Sequence, residues 1–211
     1  MLAPYILVVS AAVMLGLAVW IGGARRARGE PARYLVAWLA LSVVASLIMA
    51  ASMWVGDETV GLSLAAAARS LVMIAAFMVF IFTRSFSREP DHTLFFWSVP
   101  LQLGLAVNIL NWERIYRMEN GAWILNVGDS LAAAVAVVDW FYSILAVSYA
   151  ALLYLTLRRE GRVEESRRTL ALTVALLALL AAGSVRGMVS GIFGRAVYAG
   201  YAGYLAGVLL L

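Results

Sequence analysis

Seven apolar stretches, separated by short polar loops, occupy almost the whole of the chain. A helix that crosses a bilayer needs about 20 apolar residues, and its backbone polar groups must be paired within the helix because lipid offers no partners. With 64% hydrophobic and 13% charged residues, the 211-residue chain is too apolar for a soluble globule. We therefore predict an all-α integral membrane bundle of seven transmembrane helices, forming one domain over residues 1–211.

The hydropathy pattern also predicts where each span lies. The first stretch has no positive charge before it and three arginines after it, which is typical of a retained anchor rather than a cleaved signal peptide. The last stretch is short for a ~30 Å hydrocarbon core, so we expect the parent chain to continue past Leu211 into the cytoplasm. The predicted spans cover residues 4–23, 34–55, 62–83, 94–110, 131–157, 169–190 and 196–211.

Arginine distribution predicts the orientation. All 16 cationic residues are arginine, and eleven lie in the loops after the first, third and fifth spans. Cytoplasmic loops of membrane proteins carry the excess of positive charge. We therefore place the N-terminus outside and the C-terminus in the cytoplasm of a multi-pass protein of the cell's inner membrane. The eleven are Arg25, Arg26, Arg28, Arg33, Arg84, Arg88, Arg158, Arg159, Arg162, Arg167 and Arg168.

Several kinds of chemistry lack the residues they need. The chain has 0 cysteines and one histidine, His92, so thiolate and histidine-cluster metal sites are excluded. A retinal Schiff base needs a lysine, which the chain lacks. Protease, hydrolase and phosphate-loop motifs are missing as well. We predict no catalytic residues, no metal and no cofactor within these residues, and no nucleic-acid partner, because the arginines flank membrane spans.

Three ionisable residues fall inside predicted spans at a similar depth in the outer half: Arg69, Asp139 and Arg186. An isolated charge in lipid costs at least about 2.5 kcal/mol, so residues at one depth are expected to pair. We predict a polar cluster that faces the bundle interior and has one spare positive charge. That charge would attract a small anionic ligand or lipid. The alternative is a structural ion pair that only fixes helix register.

Other polar residues extend this candidate site. Tyr142 and Ser143 follow Asp139 at helical spacing and predict one inward face of the fifth span. Asn108 adds a polar group near the end of the fourth span, in which Pro100 is expected to kink the helix. The long outer loop, residues 111–130, is rich in aromatics that predict an interfacial anchor, with a ligand-facing lid as the alternative.

Glycines at four-residue spacing mark the last two predicted spans. Small residues spaced in this way let helix backbones approach closely in lipid. Tight packing of the two spans is the default interpretation, and a sliding seam is the functional one. A homodimer or other membrane subunits are further expected partners beside the lipid bilayer. These glycines are Gly183, Gly187, Gly191, Gly203 and Gly207.

Several segments together suggest a family. The arginine-rich turn before Tyr34, the stretch from Arg69 to the Phe80-Ile-Phe-Thr-Arg84 exit, the Asn108-Ile-Leu-Asn-Trp segment and the run from Asp139 to Arg159 follow one another along nearly the whole chain. In these features the chain resembles the seven-transmembrane N-terminal sensor region of bacterial histidine kinases and diguanylate cyclases. The resemblance implies a sensory input module whose last span passes a helix shift to a cytoplasmic kinase or cyclase domain.

Three functions follow from these patterns. The first is the membrane-embedded sensory input module, which the predicted orientation and thin loops favour. The second is a non-catalytic accessory or scaffold subunit of a larger membrane complex, which the glycine seams favour. The third is a small transporter or channel, although transporters usually show internal repeats and broken helices near the midplane.

Overall fold

A computed structural model describes residues 3–23, 30–86, 93–119, 121–126, 128–171, 173–174 and 177. This part of the chain is mostly helical and contains one small β-hairpin. A further helical stretch covers residues 163–171. The elements before it are α1 (Ala3–Gly23), α2 (Glu30–Trp54), α3 (Glu58–Arg84), α4 (Leu94–Leu110), α5 (Trp112–Ile115), β1 (Tyr116–Glu119), β2 (Ala122–Leu125) and α6 (Ser130–Arg159).

Four of these helices are long and apolar enough to cross a membrane. The apolar spans are Pro4–Ile21, Arg33–Trp54, Glu58–Arg84 and Ser130–Arg159. α4 is apolar but shorter, with 17 residues, and it coincides with the predicted span over residues 94–110. The helical character is thus confirmed, while the seventh predicted span and nearly all of the sixth lie outside the described residues.

Two aspartates begin helices at the same end of the bundle. Asp57 accepts a hydrogen bond from the Val60 amide at 2.9 Å and caps α3, which follows α2 after only residues 55–57. Asp129 accepts from the Leu131 amide at 2.8 Å and caps α6. A side-chain oxygen at this position satisfies an amide that has no partner within the helix. α3 therefore begins four residues before the predicted span over 62–83, and α6 begins one residue before the predicted span over 131–157.

α3 is the central helix of the described bundle. It packs against α2, α4 and α6, while α1 packs on the far side of α2. The core between these helices is apolar, with Met14, Leu39, Met73, Phe80 and Val135 fully buried. On the outside, Trp20, Phe95 and Phe96 are each about 70% exposed. Exposed large apolar side chains of this kind are compatible with a bundle surrounded by lipid.

The predicted outer loop over residues 111–130 contains a short helix and a small β-hairpin, which the prediction did not include. It contains α5 and the antiparallel strands β1 and β2, paired from Tyr116 with Leu125 to Glu119 with Ala122. Gly121 at the turn has φ +76°, a conformation that glycine adopts without strain. Tyr116 and Trp123 are buried against the bundle. The hairpin thus closes one end of the bundle, and we call it the plug.

Candidate functional site

The centre of the candidate site is an ion pair between α3 and α6, which pack against each other in the bundle. Arg69 on α3 contacts the carboxylate of Asp139 on α6 through its Nη2 atom. The side chains are 22% and 11% exposed, so the pair is largely removed from solvent. α6 turns Asp139 inward because buried residues recur at three- and four-residue steps along that face of the helix.

The ion pair is only half satisfied. In the described part of the chain, Nε of Arg69 and Oδ1 of Asp139 are buried and have no hydrogen-bond partner. A buried polar atom without a partner typically costs about 1–3 kcal/mol, and more when it is charged. The third predicted member, Arg186, lies outside the described residues, as do Gly183, Gly187, Gly191, Gly203 and Gly207. The three-residue cluster and the glycine seams therefore stay predictions.

Asn108 lies beside the ion pair and is fully buried. Its Nδ2 donates to the Ala66 carbonyl and to the Ser70 hydroxyl, both at 2.9 Å, and thereby joins α4 to α3 on either side of Arg69 in sequence. Its Oδ1 accepts a hydrogen bond from the Tyr116 hydroxyl at 2.5 Å. One amide thus ties α3, α4 and the plug together directly next to the charged pair.

The plug is seated by two aromatic side chains. The Trp123 indole N–H donates to the Ser52 carbonyl at 3.2 Å, over Gly61 at the beginning of α3. A Cβ at Gly61 would lie 3.1 Å from the indole nitrogen and 3.0 Å from the Ser52 carbonyl oxygen, so a larger residue there would have to shift both groups. Burial raises the pKa of the Tyr116 phenol, which the charge of Arg69 partly offsets and the charge of Asp139 reinforces.

Tyr142 extends the site on the side away from the plug. It is fully buried one helical turn after Asp139 on the same face of α6. Its hydroxyl donates to the Trp97 carbonyl at 2.5 Å and accepts from the Leu101 amide at 3.0 Å. Ser143 is half-buried next to it. Tyr142 is also in ring contact with Phe77, Phe80 and Phe141, with centroids 5.1 to 5.9 Å apart.

The structure therefore brings four of the six predicted polar residues into one continuous region: Arg69, Asp139, Asn108 and Tyr142. The prediction assigned Tyr116 and Trp123 to the loop and missed them as parts of the site. The Asn120-Gly121 pair is typical of a two-residue hairpin turn and would have pointed to the plug. Within the described ranges, no group of three or more acidic or histidine side chains is placed to bind a metal ion.

No model of a known protein family matches the chain, and neither a curated protein nor a solved structure is significantly similar to it. The site must therefore be interpreted from its own chemistry. An ion pair with two unpaired atoms can form new hydrogen bonds when its surroundings change. Whatever donates to Asp139 or accepts from Arg69 changes the balance of forces between α3 and α6.

Proposed function

We propose that the chain is the sensory input region of a multi-pass inner-membrane signalling protein. In this proposal seven helices cross the membrane, the plug faces the outside, and the C-terminal end faces the cytoplasm. Four membrane-length apolar helices support the membrane setting. The position of the plug at one end of the bundle, away from the arginines at the end of α6, agrees with the positive-inside rule.

The observation that carries the sensory role is the half-satisfied Arg69–Asp139 pair. Charged residues inside a membrane bundle are expensive and mark functional sites unless they are fully neutralised. Here one contact joins the pair, while Nε of Arg69 and Oδ1 of Asp139 have no partner among the described residues. A merely structural pair would be expected to have its remaining atoms satisfied.

The pair suggests how a stimulus would act. Arg69 retains an unused donor, which a small anionic group or a lipid headgroup would accept. Such a ligand would compete with Asp139 and favour a packing in which α3 and α6 are less tightly joined. It shifts the equilibrium between two packings only by the difference of its affinities for them.

The orientation is tested by labelling of single cysteines. Because the chain has 0 cysteines, each introduced thiol is unique. Met118 in the plug and Val163 after α6 are both exposed and suit substitution by cysteine. We expect a membrane-impermeant maleimide to label Met118→Cys in intact cells and Val163→Cys only after permeabilisation. The opposite pattern, or both labelled from outside, contradicts the proposed orientation.

The sensory role is tested with a chimera in which a histidine kinase output region follows Leu211. Asp139→Asn removes the negative charge of the ion pair, and Arg69→Gln removes its positive charge. Both are expected to change basal kinase output at equal protein levels, whereas the exposed-pair variant Arg114→Gln should not. Unchanged output in both membrane variants, with the bundle folded, contradicts the sensory role.

The accessory-subunit hypothesis is the second candidate, supported by the exposed Phe95 and Phe96 on α4. If the chain is an accessory subunit, Asp139→Asn should leave the kinase output of the chimera unchanged. Replacing the two phenylalanines by leucine, which keeps the surface apolar, would then release a stoichiometric membrane partner from the protein purified in mild detergent. A sensor with lipid on this face keeps its composition in that experiment.

A further inference from the structure

We propose that α4 bends at Pro100 and that the Tyr142 hydroxyl of α6 controls the bend. Proline has no amide N–H, and its ring collides with the carbonyl four residues earlier, which opens a helix at that point. Pro100 lies inside α4, which continues on both sides of it. Bends in helices concentrate where such a residue or an inserted polar group interrupts the ladder.

The two groups that Tyr142 bridges are the decisive observation. The Leu101 amide and the Trp97 carbonyl are four residues apart and would pair directly in an uninterrupted α-helix. The hydroxyl of Tyr142 accepts a hydrogen bond from the Leu101 amide at 3.0 Å and donates one to the Trp97 carbonyl at 2.5 Å. A side chain from another helix thus bridges two backbone groups of α4 directly beside Pro100.

The Tyr142 bridge is buried, so the backbone groups that it joins need partners within the protein. Tyr142 is fully buried, and its ring is held by Phe77 and Phe80 of α3 and by Phe141. Beside this buried ring, the Leu101 amide and the Trp97 carbonyl can be satisfied within the protein in two ways, by the hydroxyl or by each other. The first keeps α4 open at Pro100, and the second closes it. These are two discrete states of one helix, selected by the position of α6.

The bridge connects this bend to the charged pair. Asp139 and Tyr142 are three residues apart and lie on the same inward face of α6. A shift of α6 that loosens Asp139 from Arg69 therefore also moves the hydroxyl relative to α4. The role of the bend in signalling rests on the proposed function. The bend itself does not, because it depends only on the packing of the bundle.

The bend is tested by distances between spin labels. Trp20→Cys on α1 and Phe95→Cys on α4 place labels at two exposed positions at the end of the bundle away from the plug. Tyr142→Phe removes only the hydroxyl. It is expected to let Leu101 pair with Trp97 and to shift the distance distribution by about 2–4 Å, as a 20–30° change about Pro100 displaces that end of the helix.

Two further variants decide what the shift means. Tyr154→Phe removes a hydroxyl from the same helix that only accepts from Arg158 at 3.0 Å, so it should leave the distance unchanged. In a Pro100→Ala background the restored amide favours a closed helix, and Tyr142→Phe should then add little. If Tyr142→Phe moves the labels no more than Tyr154→Phe does, control of the bend by the Tyr142 hydroxyl is disproved.

A second variant keeps the inference testable if Tyr142→Phe does not fold. Pro100→Ala alone should move the labels in the direction of a closed helix, and an unmoved pair again overturns the bend. The two proposals also fail separately. A label shift without any change in chimera output supports the bend and contradicts its part in signalling. Changed output from Asp139→Asn without a label shift supports the sensor and contradicts the bend.

Discussion

The Tyr116 hydroxyl of the plug donates to Oδ1 of Asn108 in α4 over 2.5 Å, inside the bundle. The sequence predicted Tyr116 to lie in a loop. Its partner, the Asn108 side chain, also donates hydrogen bonds to α3. The plug is thereby joined to the same polar network as the charged pair, and movement of the plug and rearrangement of the pair are physically linked.

Tyr116→Phe should therefore destabilise the fold. The variant leaves the Asn108 Oδ1 buried and unpaired, which costs about 1–2 kcal/mol. The measurement is the free energy of unfolding in detergent micelles. Tyr5→Phe is the matched control because Tyr5 is exposed and keeps its ring contact with Trp54. Equal stability of the two variants would show that the Asn108 bond is not formed.

Stability should also fall at high pH because of Tyr116. Its pKa in the folded protein is raised above the ordinary value of 10.0, mainly by burial. The unfolded chain then releases this proton at a lower pH than the folded protein, so the contribution is complete below pH 10 and is lost as the pH rises above it. Unfolding measured between pH 8 and about pH 11 should show a weaker pH dependence in Tyr116→Phe than in the wild type. Identical slopes would contradict burial of the phenol.

The charged pair should show strong coupling in a double-mutant cycle. Asp139→Asn leaves Arg69 buried without its partner and is expected to cost about 3 kcal/mol, and Arg69→Leu should cost a similar amount. The double variant should cost clearly less than the sum, because neither charge is then left alone. Asp129→Asn serves as control, since asparagine also caps a helix and the Arg114–Asp129 pair is exposed. Additive losses would rule out a direct pair.

Because α4 packs closely on α6, we expect replacement of Gly104 to destabilise the fold. A Cβ at Gly104 would lie 2.9 Å from Cγ2 of Val138, closer than side chains approach. Gly104→Ala should cost about 1–3 kcal/mol, and Val138→Ala should recover part of the loss. Gly16→Ala on α1 has nothing within 4 Å and should be neutral or slightly stabilising. A neutral Gly104→Ala would mean that the two helices are farther apart.

The positions of the helices could be predicted from the sequence, because each long helix coincides with a long apolar stretch. The predicted fourth span coincides with α4, and the others differ from α1, α2, α3 and α6 by a few residues at their ends. At the beginnings of α3 and α6 the difference has a local cause. Asp57 and Asp129 cap their helices before the apolar residues begin, and hydropathy does not register a cap.

The site was less predictable than the fold. Similar depth in the membrane pointed to Arg69 and Asp139, because two charges in lipid have few alternatives to each other. No periodicity indicates that Tyr116 folds back into the bundle or that Tyr142 reaches into the ladder of α4. Those contacts depend on how α4, α6 and the plug pack in three dimensions. Arg186 keeps its predicted role without a test from the described residues.

The connection between α2 and α3 has a consequence for biogenesis. Only residues 55–57 separate the two helices, and three residues span at most about 10 Å. Once α2 has threaded into the bilayer, α3 has no slack with which to wait in water and must follow at once in the opposite direction. In the proposed membrane setting, residues 30–84 are therefore expected to enter the bilayer as one helical pair.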